Sequence, residues 1–134
     1  MHSSQFGEHV AGFANDGHIP TIVNYCQHTD ANDLNPWWQV DLQSTYNITS
    51  VTIANRFDDK PAVGHRLSDT SILVYNSTPS VLTEFTLCKF IPGVFGCTIR
   101  TFECDGVAIG RWVRITKPTE YLVLCEVEVT GTEI

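Results

Sequence analysis

Between Pro36 and Arg66 the order of apolar and polar positions is unusually informative. Trp38, Val40 and Leu42 alternate with Gln39 and Asp41, the pattern of a half-buried strand. Gln43–Thr45 predicts a break. A second strand, Ile48 to Asn55, is rich in β-branched residues, with Val51 and Ile53 on one face and Thr52 on the other. It runs into a dense polar cluster, Asn55-Arg56-Phe57-Asp58-Asp59-Lys60, followed by Pro61, Gly64, His65 and Arg66. A rigid strand feeding a charged loop is the usual way of presenting binding residues.

The rest of the chain predicts short strands and turns. Residues 70–76 and 82–90 read as strands, with a Ser/Thr/Pro turn between them and a turn at Ile91-Pro92-Gly93 and Gly96. Residues 97–103 alternate, and Cys104-Asp105-Gly106 ends them. Arg111–Thr116 places Val113 and Ile115 on one face, Trp112 and Arg114 on the other. Tyr121–Val129 reads as the last strand, with Val123, Cys125, Val127 and Val129 inward and Glu126 and Glu128 outward. Residues 3–18 read as irregular, with a helical turn at Val10–Ala14, and 19–35 as a long loop. Helical periodicity, repeats and linkers are absent. Roughly eight short strands with turns about every 8–12 residues predict one all-β domain over residues 1–134, an antiparallel β-sandwich of jelly-roll type.

Composition narrows the function. The chain has 134 residues, 43% hydrophobic and 17% charged, enough for one core. A net charge of −7 opposes nucleic acid and anionic membrane as partners, because both need a basic face. No apolar run approaches the roughly 18 residues of a membrane helix. Met1-His2-Ser3-Ser4 is followed by no apolar segment and does not read as a signal peptide. The five cysteines form no CxxC pair, which disfavours a zinc ribbon or a thioredoxin-like motif. Cysteine usage and two sequons, Asn47-Ile48-Thr49 and Asn76-Ser77-Thr78, point to a secreted or extracellular protein.

Catalytic patterns are missing. Asp58 and Asp59 are adjacent and point oppositely on a strand, so they do not make a glycosidase pair. The chain has no GxSxG, HExxH, P-loop or Gly-rich dinucleotide loop. A binding module is the expectation, not an enzyme.

Pro36-Trp37-Trp38-Gln39-Val40-Asp41-Leu42 followed by Val51-Thr52-Ile53-Ala54-Asn55-Arg56 resembles the F-type lectins, the fucose-binding lectins of eel-agglutinin type. More distantly it resembles the discoidin or coagulation-factor C domains. Ala14-Asn15-Asp16-Gly17, Cys26-Gln27-His28-Thr29 and Leu124-Cys125-Glu126-Val127-Glu128-Val129 with Gly131 extend the resemblance over nearly the whole chain. It implies disulfides Cys26–Cys125 and Cys88–Cys104, with Cys97 left over. It implies a structural calcium ion bound by the side chains of Asp16 and Glu126 and by the carbonyls of Phe13, His18, Tyr25 and Cys125. Read by itself, Asp16-Gly17-His18 is either such a loop or a simple turn.

The resemblance also implies a fucose site built from His28, Arg56 and Arg66, with Asp58 orienting Arg56. Arginine offers a rigid donor fork to sugar oxygens, and histidine adds one directed bond. Tyr25, Phe57 or Trp37 would wall the sugar's methyl group. The sequence departs from the family pattern in two ways. The interval from Asp58 to Arg66 is longer, and Asp59-Lys60 stands where the family has adjacent cysteines, so Lys60 or His65 is a substitute contact. Two plainer readings stand beside this one: a solvated loop histidine at 28, and a surface salt bridge between Arg56 and Asp58. The implied partners are fucosylated glycans or glycoproteins, in cell recognition or adhesion, with no membrane insertion, and a homo-oligomer is admitted. The alternative is a discoidin-like adhesion domain that binds another glycan or a protein.

Overall fold

The computed structural model describes residues 1–5, 7, 11–14, 26–55, 67–96 and 98–134, with Phe13 described by its backbone alone. Among the described residues a 3₁₀ turn, Ala11–Ala14, precedes eight strands: β1 Gln27–His28, β2 Trp37–Ala54, β3 Ser68–Tyr75, β4 Phe85–Val94, β5 Ile99–Glu103, β6 Ile109–Thr116, β7 Val123–Leu124 and β8 Glu126–Glu133. Every pairing is antiparallel. The main sheet runs β4-β3-β6-β2-β5 with β8 also on β2, and β1 with β7 forms a two-stranded sheet. The expected all-β antiparallel sandwich is the fold.

Strand β2 organises it. At 18 residues it serves two layers. Trp37–Asp41 pair with β6, and Ser50–Ala54 pair with β5 on one edge and β8 on the other. The break expected at Gln43–Thr45 is therefore an irregularity inside one continuous strand. The register shifts between Asp41 and Tyr46, and Gln43 takes a positive φ of 67°. The Asp41 carboxylate accepts from Gln43 N–H and from Arg111 Nε and Nη2, and the Arg111 bonds hold that carboxyl below its ordinary range. A second shift lies between Ile48 and Ser50. It moves the buried set from even positions, Trp38 and Ile48, to odd ones, Val51 and Ile53. One inserted residue swaps the faces of a strand, so the same strand can bury its side chains in both layers.

Two glycines admit this folding. A Cβ on Gly131 would lie 2.5 Å from the Asn47 carbonyl oxygen, and one on Gly110 2.6 Å from the Tyr75 carbonyl oxygen. Both flank the bent region, where strands come closest.

The core is built from Trp38, Ile48, Val51, Ile53, Leu67, Ile72, Val74, Val113, Ile115, Leu122 and Leu124. A smaller cluster, Cys26, Ala54, Val123 and Cys125 with Tyr121 against it, lies apart. The expected strand Tyr121–Val129 is thus two. It breaks at Cys125, and Val123 and Cys125 pack in the small cluster while Leu124 and Val127 pack in the main core. Glu126, expected outward, is buried at 3% exposure, whereas Glu128 is exposed as expected. Strand β4 also differs. It runs through Ile91-Pro92-Gly93, where a turn was expected, because β4 is an edge strand and an edge tolerates a residue without an N–H.

Candidate functional site

Both ends of β2 reach one pole of the sandwich. At its start Trp37 pairs with Thr116, which in turn pairs with Ser71 of β3. At its end Asn55 donates from Nδ2 to the Gly96 carbonyl at 2.6 Å, while Phe95 N–H donates to the Leu67 carbonyl at 2.8 Å. Asn55 and Leu67 therefore lie at neighbouring points. The connections 29–36 and 117–121, with Phe95 and Gly96, share that pole, the arrangement in which a rigid frame presents loops.

His28 stands there on β1, opposite Val123 of β7. The loop expected over 19–35 is interrupted by this strand, and the ring is not solvated: His28 is only 4% exposed. Nδ1 donates to the Thr29 carbonyl at 2.7 Å, and the ring meets Tyr121 edge-on at 5.1 Å between centroids. A carbonyl only accepts, so the bond places a proton on Nδ1 and leaves Nε2 as the acceptor of the neutral ring.

Below His28 the frame is cross-linked. Cys26 and Cys125 are bonded, and Cys125 N–H donates to the Ala54 carbonyl at 2.9 Å. This ties the residue two before Arg56 to the strand beside His28. Cys88–Cys104 is the second disulfide, at a sequence separation of 16. Arg56, Asp58 and Arg66, together with Phe57, Lys60, His65 and Cys97, lie outside the described residues. The third wall candidate, Trp37, is instead covered by Arg114, whose guanidinium carbon lies 4.2 Å from the ring centroid. Arg114 also donates from Nε and Nη2 to Gln39 Oε1.

Of the expected calcium ligands, Asp16, His18 and Tyr25 lie outside the described residues. Phe13, Cys125 and Glu126 can be placed. The 3₁₀ turn that carries Phe13 packs against β1 and β8, so its backbone faces the strand that begins at Glu126. The buried Glu126 carboxylate accepts from Val127 N–H at 3.2 Å. A carboxylate is among the oxygen ligands that a hard cation accepts. Among the described residues no group of three or more His, Cys, Asp or Glu gathers, so such a site would need carbonyls and Asp16.

Three pole residues escaped the sequence reading. Asn55 clamps the loop exit through Gly96. Tyr121 abuts His28. Lys117, 3% exposed, donates from Nζ to the carbonyls of Glu120 and Tyr121 at 3.3 and 3.1 Å and so fixes the segment that holds Tyr121. Only Asn55, the last polar residue before the charged loop, had a local signal.

Comparison with known proteins agrees with this frame. A family described as a NedA-like, galactose-binding domain matches residues 13–115. Fucolectin-1 of Anguilla japonica is 44% identical over 125 residues, spanning 91% of this chain and 68% of its own length. The crystal structure of an F-lectin (fucolectin) from the serum of Morone saxatilis superposes with a TM-score of 0.77 at 33% identity, covering 98% of this chain and 46% of that one. The lectin domain of lectinolysin, complexed with Lewis b antigen, superposes at 0.82 with 26% identity, covering 98% and 91%. The chain belongs to the fucolectins, lectins built on the galactose-binding-domain fold. It is a carbohydrate-binding chain of a lectin family, not an enzyme.

Proposed function

We propose that the chain binds terminal L-fucose on glycans at the His28 pole and acts outside the cell in recognition or adhesion. The observation that carries this is the seating of His28. It is buried and its tautomer is set by Thr29, beside the point where β2 enters 56–66. Arg56 and Arg66 donate to the sugar's ring oxygen and hydroxyls, Asp58 orients Arg56, and His28 Nε2 accepts one hydroxyl proton. Support comes from the relatives' names, fucolectins, and from the Lewis b complex of the lectinolysin domain.

Calorimetric titration tests it, with L-fucose and fucosylated oligosaccharides set against galactosides. Arg56→Ala removes charge-assisted bonds worth about 1.5–3 kcal/mol, so fucose affinity is expected to fall roughly 10- to 150-fold. His28→Ala is expected to weaken it as well. Binding of galactosides with no response to fucosides defeats the specificity and leaves the lectin fold standing.

A calcium ion completes this reading. Asp16 and Glu126 supply carboxylates, and Phe13, His18, Tyr25 and Cys125 supply carbonyls. The bound ion is structural and pins the 12–26 segment against the final strand. An ion that binds only the folded chain stabilises it by about 2.7 kcal/mol at a hundredfold excess over Kd. The melting midpoint is therefore expected to drop on chelation, and Asp16→Ala is expected to melt low and ignore calcium. Identical midpoints for the native chain with and without chelator rule the ion out.

A further inference from the structure

The two sequons occupy contrasting places, and neither takes part in the sugar site. Asn47 lies inside β2, paired with Ile109 on one edge and Thr132 on the other. Its partner hydroxyl is engaged, since Thr49 Oγ1 donates to the Thr130 carbonyl at 3.1 Å. Its own carbonyl is packed against Gly131, where a Cβ would sit at 2.5 Å. Asn47 and Thr49 are exposed but held within the paired sheet, whereas Asn76 begins the turn between β3 and β4, with Asn76, Ser77 and Thr78 exposed as well. That turn is held by its own bonds. Thr83 Oγ1 donates to the Thr78 carbonyl at 3.0 Å and lies 2.8 Å from Ser80 Oγ. The same turn presents Val81 and Leu82 at 101% and 92% exposure, with Phe85 at 55% just beyond.

We propose that Asn76, and not Asn47, is an N-glycosylation site of this chain. An acceptor sequon belongs on a surface loop, and a bulky, hydrophilic glycan there shields the apolar side chains of the turn. The co-reactant is an oligosaccharide carried on a polyprenyl diphosphate. The Asn76 carboxamide nitrogen attacks the anomeric carbon of the reducing-end sugar. The bond from that carbon to the diphosphate oxygen breaks, with the electron pair leaving on the lipid diphosphate. An N-glycosidic bond forms, and the nitrogen loses one proton to the transferase's base. Asn76 follows Tyr75, which pairs with Phe85, whereas the sugar pole lies at the Ser68–Val94 end of the same two strands. The glycan therefore leaves the lectin site open.

The inference requires passage through the secretory route but not the fucose specificity. The test supplies that route: the whole chain is expressed behind a leader peptide in eukaryotic cells, and mass is read before and after an amidase that releases N-glycans. The expected result is one occupied site, with amidase converting Asn76 to Asp in the mapped peptide. Asn76→Gln and Thr78→Ala each abolish the mass shift, while Asn47→Gln retains it. The Asn76→Gln protein binds sugar as the native chain does. A secreted, disulfide-bonded chain of bare mass overturns the proposal, as does a shift that follows Asn47 instead of Asn76.

Discussion

Replacing Cys26 and Cys125 together by alanine is expected to cost about 2–5 kcal/mol of stability and to weaken sugar binding along with it. The pair closes a loop of sequence separation 99, for which the chain-entropy argument gives about 4.7 kcal/mol. For Cys88–Cys104, at separation 16, the same argument gives about 3 kcal/mol. The difference in stability is modest, but the difference in position is not. Cys26 is the residue before β1, which carries His28, and Cys125 holds Ala54 by a backbone bond just ahead of the charged loop. Loss of this bridge loosens the seat of His28 relative to the end of β2. Cys88 lies on the edge strand β4, and Cys104 follows β5 where the chain turns away from the pole. Removing that bridge is expected to lower the melting midpoint and leave fucose affinity, measured well below the midpoint, unchanged. Thermal melts paired with calorimetry on the two double variants check this. Equal affinities in both would sink the claim that the first bridge positions the site.

The two adjacent tryptophans are expected to behave as opposites. Trp38 is 1% exposed in the main core, and its Nε1 donates to the Ala11 carbonyl at 3.0 Å. Trp38→Ala removes the largest buried side chain of the domain, at a cost of about 3–5 kcal/mol. It also strands the Ala11 carbonyl. Trp38→Phe keeps most of the apolar contact but loses the donor, and about 1–3 kcal/mol is expected from that carbonyl alone. Trp37 faces the other way, half-buried beneath Arg114 on the outer side of the sheet. A cation–π contact at such a site is worth about 0.5–1 kcal/mol, so Trp37→Ala is the mild substitution. Denaturant melts of the three variants rank them, and a Trp37→Ala cost equal to that of Trp38→Ala would contradict the assignment of faces.

The alternation that separates these tryptophans was readable directly, as was the facing of Val51 and Ile53 and of Val113 and Ile115. Alternation is local: each residue's direction follows from its neighbours two positions away, so the strands and the sandwich class could be read without coordinates. The cysteine pairings followed from the family resemblance and not from spacing, because five thiols admit many connectivities. The bend of β2 was misread as a gap. A bulge interrupts alternation just as a loop does, and only pairing with β6 on one side and β8 on the other shows that the strand continues. The faces of Tyr121–Val129 were misassigned for a related reason. Cys125 is bound at once to Cys26 and to Ala54, which divides the segment between two clusters.

For the site, the sequence determined which residue types border the end of β2 and that His28 travels with a cysteine. Only the tertiary structure decided that His28 is buried, that Glu126 is buried rather than solvated, and that Lys117 holds the Tyr121 segment. Those outcomes depend on backbone carbonyls and on strands far apart in the chain, and a backbone carbonyl is the same in every residue type, so it leaves no trace in the amino-acid order.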